Sequence, residues 1–150
     1  MHLTVKHFQD LTADELFAIY RLRVAVFVVE QRCPYQEVDE ADRAAYHVWL
    51  SDEQGIQAYL RVLPAGVTYP EASVGRVIAA RRREGLGTRI LREGIRVAKE
   101  KLNARSLYIG AQTYARGLYE KAGFVQASAE YMEDGIPHIH MRLSLEGENA

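Results

Sequence analysis

Val77-Ile-Ala-Ala-Arg-Arg-Arg-Glu-Gly-Leu-Gly-Thr88 runs from an apolar strand, through a turn holding two glycines, directly into a helix. At such a helix start the first backbone N–H groups have no intrahelical partners and the macrodipole is positive. The amides of Gly85, Leu86, Gly87 and Thr88 therefore form a ready cradle for a phosphate. Arg81, Arg82 and Arg83 add mobile positive charge, which suits a diphosphate or an additional ribose phosphate better than a neutral ligand. The stretch has neither the GxGxxG of dinucleotide sites nor the GxxxxGK of a Walker A loop. Taken alone, the two glycines equally serve a tight strand-to-helix connection with no ligand.

Outward from this turn, residues 73–80 read as the strand leading in and residues 85–102 as an amphipathic helix. Its apolar face carries Leu91, Ile95, Ala98 and Leu102, and another face repeats Arg89, Arg92, Arg96 and Lys99. Alternation predicts further strands over residues 2–8, 46–50, 57–63, 106–111, 124–132 and 138–145. The second and third of these turn at Gly55, and the last two at Asp134-Gly135. Thr12 and Glu15 make a capping box that opens a helix reaching residue 29. Residues 114–121 predict a short helix ended by Gly123. Residues 31–45 show no period and predict a loop or broken helix, long enough to hint at function. The strand, helix, strand alternation over residues 73–111 favours parallel pairing there. The expected class is α/β with α+β character: a central mixed sheet of six to seven strands flanked by helices.

The chain of 150 residues predicts one domain over residues 1–150, large enough for its own core. Hydrophobic residues at 48% and charged ones at 26% exclude fibrous, low-complexity and disordered classes. Cys33 stands alone, so no internal disulfide and no oxidising compartment is indicated, and it reads as a small buried apolar group. The first twenty residues carry Lys6, Asp10, Asp14 and Glu15, and no run of about 18 uncharged apolar residues occurs. The expectation is a cytoplasmic protein with no membrane partner. A net charge of -1 argues against a nucleic-acid partner. The balance conceals a separation: residues 81–105 hold nine basic and three acidic side chains, residues 30–53 seven acidic and two basic. One segment suits an anion and the other a cation, unless both are simply solvated faces.

Arg82, Gly85 and Gly87 spell RxxGxG between a strand and a helix, which resembles motif A of the GNAT N-acetyltransferase superfamily. Downstream, Gln112, Ala115, Leu118, Tyr119, Gly123 and Phe124 are similar to that superfamily's NxxAxxLYxxxGF pattern, with Gln in place of Asn. The segments RLRVAVFVVEQRCPYQEVDEAD with His47, and EDGIPHIHM, further resemble the ElaA family. The resemblance implies the GNAT fold over nearly the whole chain and acetyl-CoA as acetyl donor, with no metal. The acceptor it implies is the primary amine of a small molecule or peptide, attacking directly to give a tetrahedral intermediate. It is compatible with a homodimer.

Amide formation from a thioester needs an amide donor for the oxyanion, an acid near sulfur and a route for the amine's proton. The resemblance implies a cofactor-binding set of Val77, Ile78, Arg82, Arg83, Glu84, Gly85, Leu86, Gly87, Thr88 and Gln112. The strand bearing Val77 and Ile78 would splay from its neighbour to free backbone groups, and Gln112 would bond the cofactor arm. Tyr119 matches the catalytic tyrosine that protonates the departing thiolate, or else packs beneath the sheet. Arg76 stands where some family members have a carboxylate, so water-mediated proton removal is expected. Glu30, His47 and His138 are candidates to flank the acceptor, each with an ordinary structural role as the alternative. Glu37, Asp39 and Asp42 either attract a cationic amine or are surface acids. His138 and His140 share a strand face, but no spacing supplies a third metal ligand. Two other functions stay open: a noncatalytic CoA-sensing or protein-interaction module, and an acyltransferase similar to the acyl-homoserine-lactone synthases.

Overall fold

The computed structural model describes residues 1–80 and 85–146. Strands β1 (His2–His7), β2 (Tyr46–Asp52), β3 (Gly55–Leu63) and β4 (Ser73–Ala79) form one antiparallel sheet in that order. Strand β5 (Ser106–Gln112) pairs with β8 (Ile136–Ser144), which also pairs with β6 (Val125–Gln126) and β7 (Tyr131–Glu133), all antiparallel. The expected single mixed sheet is therefore two four-stranded sheets. Among the described residues they join through one parallel bridge, Ala72 to Leu107, where the Tyr108 N–H donates to the Ala72 carbonyl at 2.9 Å. Beyond it β4 and β5 part company. The strand expected over residues 124–132 is two short ones: the Ala127 N–H still donates to the His140 carbonyl at 2.8 Å, but residues 128–130 leave the ladder and Ser128 Oγ accepts from the His140 N–H at 2.9 Å.

Helix α1 (Ala13–Val24) starts at the expected capping box: Thr12 Oγ1 accepts from the Glu15 N–H, and Glu15 Oε1 from the Thr12 N–H. The helical course continues as a widened π-type segment, Ala25–Glu30. A short 3-10 turn, Glu40–Ala44, interrupts the long loop after it. Helix α2 (Leu86–Leu102) buries Leu86, Ile90, Leu91, Val97 and Ala98 against one face of the first sheet, with Ile95 and Leu102 half-buried beside them. Gly94 permits that approach, since a Cβ there would lie 2.8 Å from both Leu60 methyls. Side chains on the opposite face, Trp49, Tyr59 and Ile78, pack with Ile19 of α1. Alternation along β2 to β4 thus fills two cores, one on each side. Asp134 (φ +51°) and Gly135 (φ +77°) form the two-residue turn expected between β7 and β8. No helix among the described residues is long and apolar enough to cross a membrane.

Candidate active site

The site begins with a bulge in β4. Gly75 pairs with Arg61 and Ile78 with Tyr59, so Arg76 and Val77 together oppose Leu60. Arg76 takes up the extra residue at φ +55°, a left-handed conformation costly for any side chain with a Cβ. Its guanidinium is tied down from the long loop. Nε donates to Glu37 Oε2 at 2.6 Å, and Nη2 to the Glu37 carbonyl at 2.8 Å. Past the bulge, the Ala80 N–H donates to the Gln57 carbonyl at 2.7 Å. In this antiparallel register Ile78 and Ala80 direct their polar backbone groups to β3. The Val77 carbonyl and the Ala79 N–H consequently face the gap toward β5. The free backbone groups expected at Val77 and Ile78 are therefore at Val77 and Ala79, and the Ile78 side chain is buried in the second core.

At the mouth of the gap, Gly85 caps α2 at φ +70° without a side-chain cap. The first amide within the helical ladder is that of Arg89, bonded to the Gly85 carbonyl, so among the described residues the Leu86, Gly87 and Thr88 amides have no intrahelical partner. Gly87 sits over Leu118 and Ala79, 3.5 and 3.7 Å from where its Cβ would be. Arg82, Arg83 and Glu84 lie outside the described residues. At the end of β5, Gln112 donates through Nε2 to Gln31 Oε1 at 3.3 Å, while its buried Oε1 has no partner among the described residues. Tyr119, on helix α3 (Arg116–Lys121), is 8% exposed and meets Phe124 edge to face. Its hydroxyl has no hydrogen-bond partner among the described residues, and burial pushes the phenol above its ordinary value of 10.0.

Between β4, β5 and the β7–β8 hairpin lies a cavity of about 280 Å³. Val77, Gln112, Tyr119 and His138, all singled out from the sequence, line it together with Asp39, Glu133, Asp134 and several tyrosines. Tyr114 is 69% exposed on its rim, and Tyr131 stacks on both His138 and His140. Cys33 is buried as expected, its thiol facing the Asp134 carbonyl at 3.2 Å. Among the described residues no three metal-ligating side chains converge. Two acceptor-side candidates fall elsewhere. Glu30 ends the π-type segment exposed and does not line the cavity. His47 is fully buried behind it, with Nδ1 2.7 Å from the Tyr59 hydroxyl and Nε2 3.1 Å from the Asp42 carbonyl, so neither ring nitrogen reaches a ligand.

Behind the cavity, a charge network replaces the expected acidic surface. Arg23, fully buried on α1, donates through Nε to Glu37 at 2.9 Å and through Nη1 and Nη2 to Asp42 at 2.6 and 3.1 Å. Arg61 bridges Asp39 at 2.7 Å and Asp42 at 3.0 Å, and Arg76 binds Glu37 and Asp39. Three guanidiniums meet three carboxylates, so Glu37, Asp39 and Asp42 are neutralised rather than offered to a cationic amine. Burial works against the Asp42 carboxylate, yet Arg23 and Arg61 more than offset it and hold the carboxyl below its ordinary 3.8. Sequence spacing missed this network, although Arg23 sits one turn from both Ile19 and Phe27 on a face otherwise apolar.

The same network sets an acid sensitivity. Burial holds His47 below its ordinary 6.5, against the opposing pull of the Asp42 carbonyl and carboxylate. As pH falls through about 6.5 the unfolded chain takes up a proton at His47 before the folded one does, so stability complete above that value declines below it. The slope from this one proton is at most about 1.4 kcal/mol per pH unit. Asp42 adds a second loss in more acid solution, below its unfolded value of about 3.9. Urea unfolding should therefore give a smaller free energy at pH 5 than at pH 7, and equal values would contradict the placement of His47.

A strand pair splayed beside an uncapped helix is the architecture of acyl-CoA N-acyltransferases. The crystal structure of such an enzyme from Pseudomonas aeruginosa superposes with a TM-score of 0.88 at 37% identity, covering 96% of this chain and 100% of that one. Residues 21–145 match the family described as Acetyltransferase (GNAT) domain, and the chain belongs to that family. Protein ElaA of Escherichia coli is 36% identical over 141 residues, 90% of this chain and 91% of ElaA. The ElaA crystal structure superposes with a TM-score of 0.86, covering 95% of this chain and 99% of that one. A CoA-dependent acyl-homoserine lactone synthase, BjaI, superposes at 0.78 with 14% identity, covering 97% of this chain and 84% of that one, a likeness of fold alone. The protein is thus a GNAT-type acyltransferase, of a family whose donor is acyl-CoA and whose acceptor is an amine.

Proposed function

We propose that the chain, acting as one domain over residues 1–150, moves the acetyl group of acetyl-CoA to the primary amine of a small molecule or peptide. The observation that carries this reading is the convergence of unused groups on one gap. The start of α2 lies against the end of β4, with Gly87 beside Ala79; the register turns the Ala79 N–H and Val77 carbonyl away from β3; and among the described residues the buried Gln112 Oε1 is without a partner. An orphaned buried acceptor costs about 1–3 kcal/mol, so a ligand that brings an N–H to Gln112 is favoured. These residues fit the diphosphate and amide-bearing arm of a CoA thioester. Leu86, Gly87 and Thr88 would hold the diphosphate, and Gln112 with the β4 edge the arm. When bound, acetyl-CoA supplies an activated acyl carbonyl and a thiolate leaving group.

The amine then attacks directly, through a tetrahedral intermediate, and Tyr119 donates its phenolic proton to the departing sulfur. A phenol held above its ordinary value stays protonated throughout neutral pH, as an acid must. Because the Tyr119 hydroxyl has no partner among the described residues, Tyr119→Phe should lower kcat on the order of 100-fold with acetyl-CoA affinity and thermal stability nearly unchanged. Stopped assays of thiol release beside calorimetric binding check this, and undiminished kcat would remove the role. The reading as a whole is tested by mass spectrometry on a panel of butylamine, cadaverine, spermidine, phenethylamine, free lysine and a short lysine-bearing peptide. One acetyl group gained by an amine, with an equivalent of thiol released, is expected. Binding of acetyl-CoA with no thiol released for any of them would favour a CoA sensor instead.

A further inference from the structure

Amide formation needs nitrogen to shed a proton, and the groups described so far leave that proton without a destination. Arg76 offers no base on β4, and Asp39 is held by Arg61 and Arg76. His138 is different. It is 7% exposed, lines the cavity, and stands on β8 directly opposite Gln112 of β5. Its Nδ1 lies 2.7 Å from the Ile136 carbonyl oxygen. A carbonyl only accepts, so in the neutral ring Nδ1 carries the hydrogen and Nε2 the lone pair. Among the described residues Nε2 has no hydrogen-bond donor. Glu133 Oε2 stands 3.8 Å from it, beyond hydrogen-bond reach but close enough to steady a positive imidazole ring. Tyr131 stacks on the ring at 5.8 Å between centroids and 27° between planes, which resists its rotation.

We propose that His138 is the general base of the transfer, its Nε2 receiving the proton of the attacking amine while the Glu133 carboxylate stabilises the imidazolium. This rests on the acetyl-transfer reading above and supplies the residue that reading leaves unnamed. The amine attacks as its free base. Its lone pair forms the C–N bond to the thioester carbon and one N–H proton passes to Nε2. The C–S bond breaks, its electron pair stays on sulfur, and sulfur takes the Tyr119 proton. The imidazolium proton then returns through solvent to the Tyr119 oxygen. Amine and thioester become amide and thiol with no net proton change.

The test joins a spectrum to kinetics. Long-range 15N–1H correlation on the labelled protein should show the histidine at position 138 protonated at Nδ1 and bare at Nε2. With the fastest amine of the panel, His138→Gln should lower kcat on the order of 100-fold and leave acetyl-CoA affinity unchanged. In His138→Gly, added imidazole should restore turnover at least about tenfold, a response that a purely structural role would not produce. Glu133→Gln, at an exposed position that does not threaten folding, should lower kcat several-fold. A hydrogen found on Nε2, full turnover in His138→Gln, or no rescue by imidazole overturns the assignment while leaving acetyl transfer standing. Acetyl-CoA bound by the unaltered protein with no amine ever acetylated overturns both.

Discussion

Arg23→Leu is expected to lower the unfolding free energy by about 3 kcal/mol, near the bottom of the range for breaking a buried ion pair. The side chain is wholly buried, and leucine restores apolar contact but no charge. Glu37 and Asp42 would then lose the donor that links the long loop to α1, although Glu37 keeps Arg76 and Asp42 keeps Arg61. Those remaining partners hold the cost to the lower end. For a domain of this size the melting temperature should fall by roughly 6–12 °C. Arg23→Lys should recover little of this. Nε, Nη1 and Nη2 each serve a different acceptor, and a single ammonium cannot reproduce the planar fork. Thermal and urea unfolding of both variants decide the matter, and a loss below about 1 kcal/mol would show that the network contributes little. The tether also reaches the site, because Glu37 holds Arg76 in the β4 bulge.

Gly87→Glu is expected to weaken acetyl-CoA binding by at least about a hundredfold, roughly 2.7 kcal/mol, while the protein stays folded. The backbone there is ordinary helix, and a Cβ would meet Leu118 and Ala79 at normal contact distances, so the residue can be accommodated. A carboxylate in the first turn of α2 favours the helix by opposing its dipole. The same carboxylate occupies the place of the diphosphate and repels it. Stability and affinity should therefore move independently, which distinguishes removal of a binding site from general damage. Calorimetric titration with acetyl-CoA beside a melting curve reads both, and unaltered affinity would dissociate the α2 amides from the coenzyme.

Local chemistry made much of the fold legible. The capping box at Thr12 and Glu15, the Asp134-Gly135 turn, the strand ending at Ala79 and the helix opening at Leu86 each depend on neighbours within a few positions. Tertiary consequences were less accessible. No periodicity says that, among the described residues, the two sheets are bridged at Ala72 and Leu107 alone while β4 bulges opposite Leu60, a residue of another strand. The charge network pairs residues 14 to 39 positions apart, so its carboxylates read as a solvated acidic stretch. Among the site candidates, Val77, Gln112, Tyr119 and His138 share one cavity. His47 and His138 looked alike in sequence, each a strand histidine. What separates them is that His47 meets the hydroxyl of Tyr59 and the Asp42 carbonyl inside the protein, whereas only one ring nitrogen of His138 is engaged.

The central claim, that the gap between β4 and β5 receives the CoA thioester, is tested most directly by a crystal structure of the protein with acetyl-CoA. The diphosphate oxygens should lie within about 3.2 Å of the Leu86, Gly87 and Thr88 amides, and the arm should run between the strands past Gln112. Ordered coenzyme seated anywhere else, with that gap still open, would contradict the account.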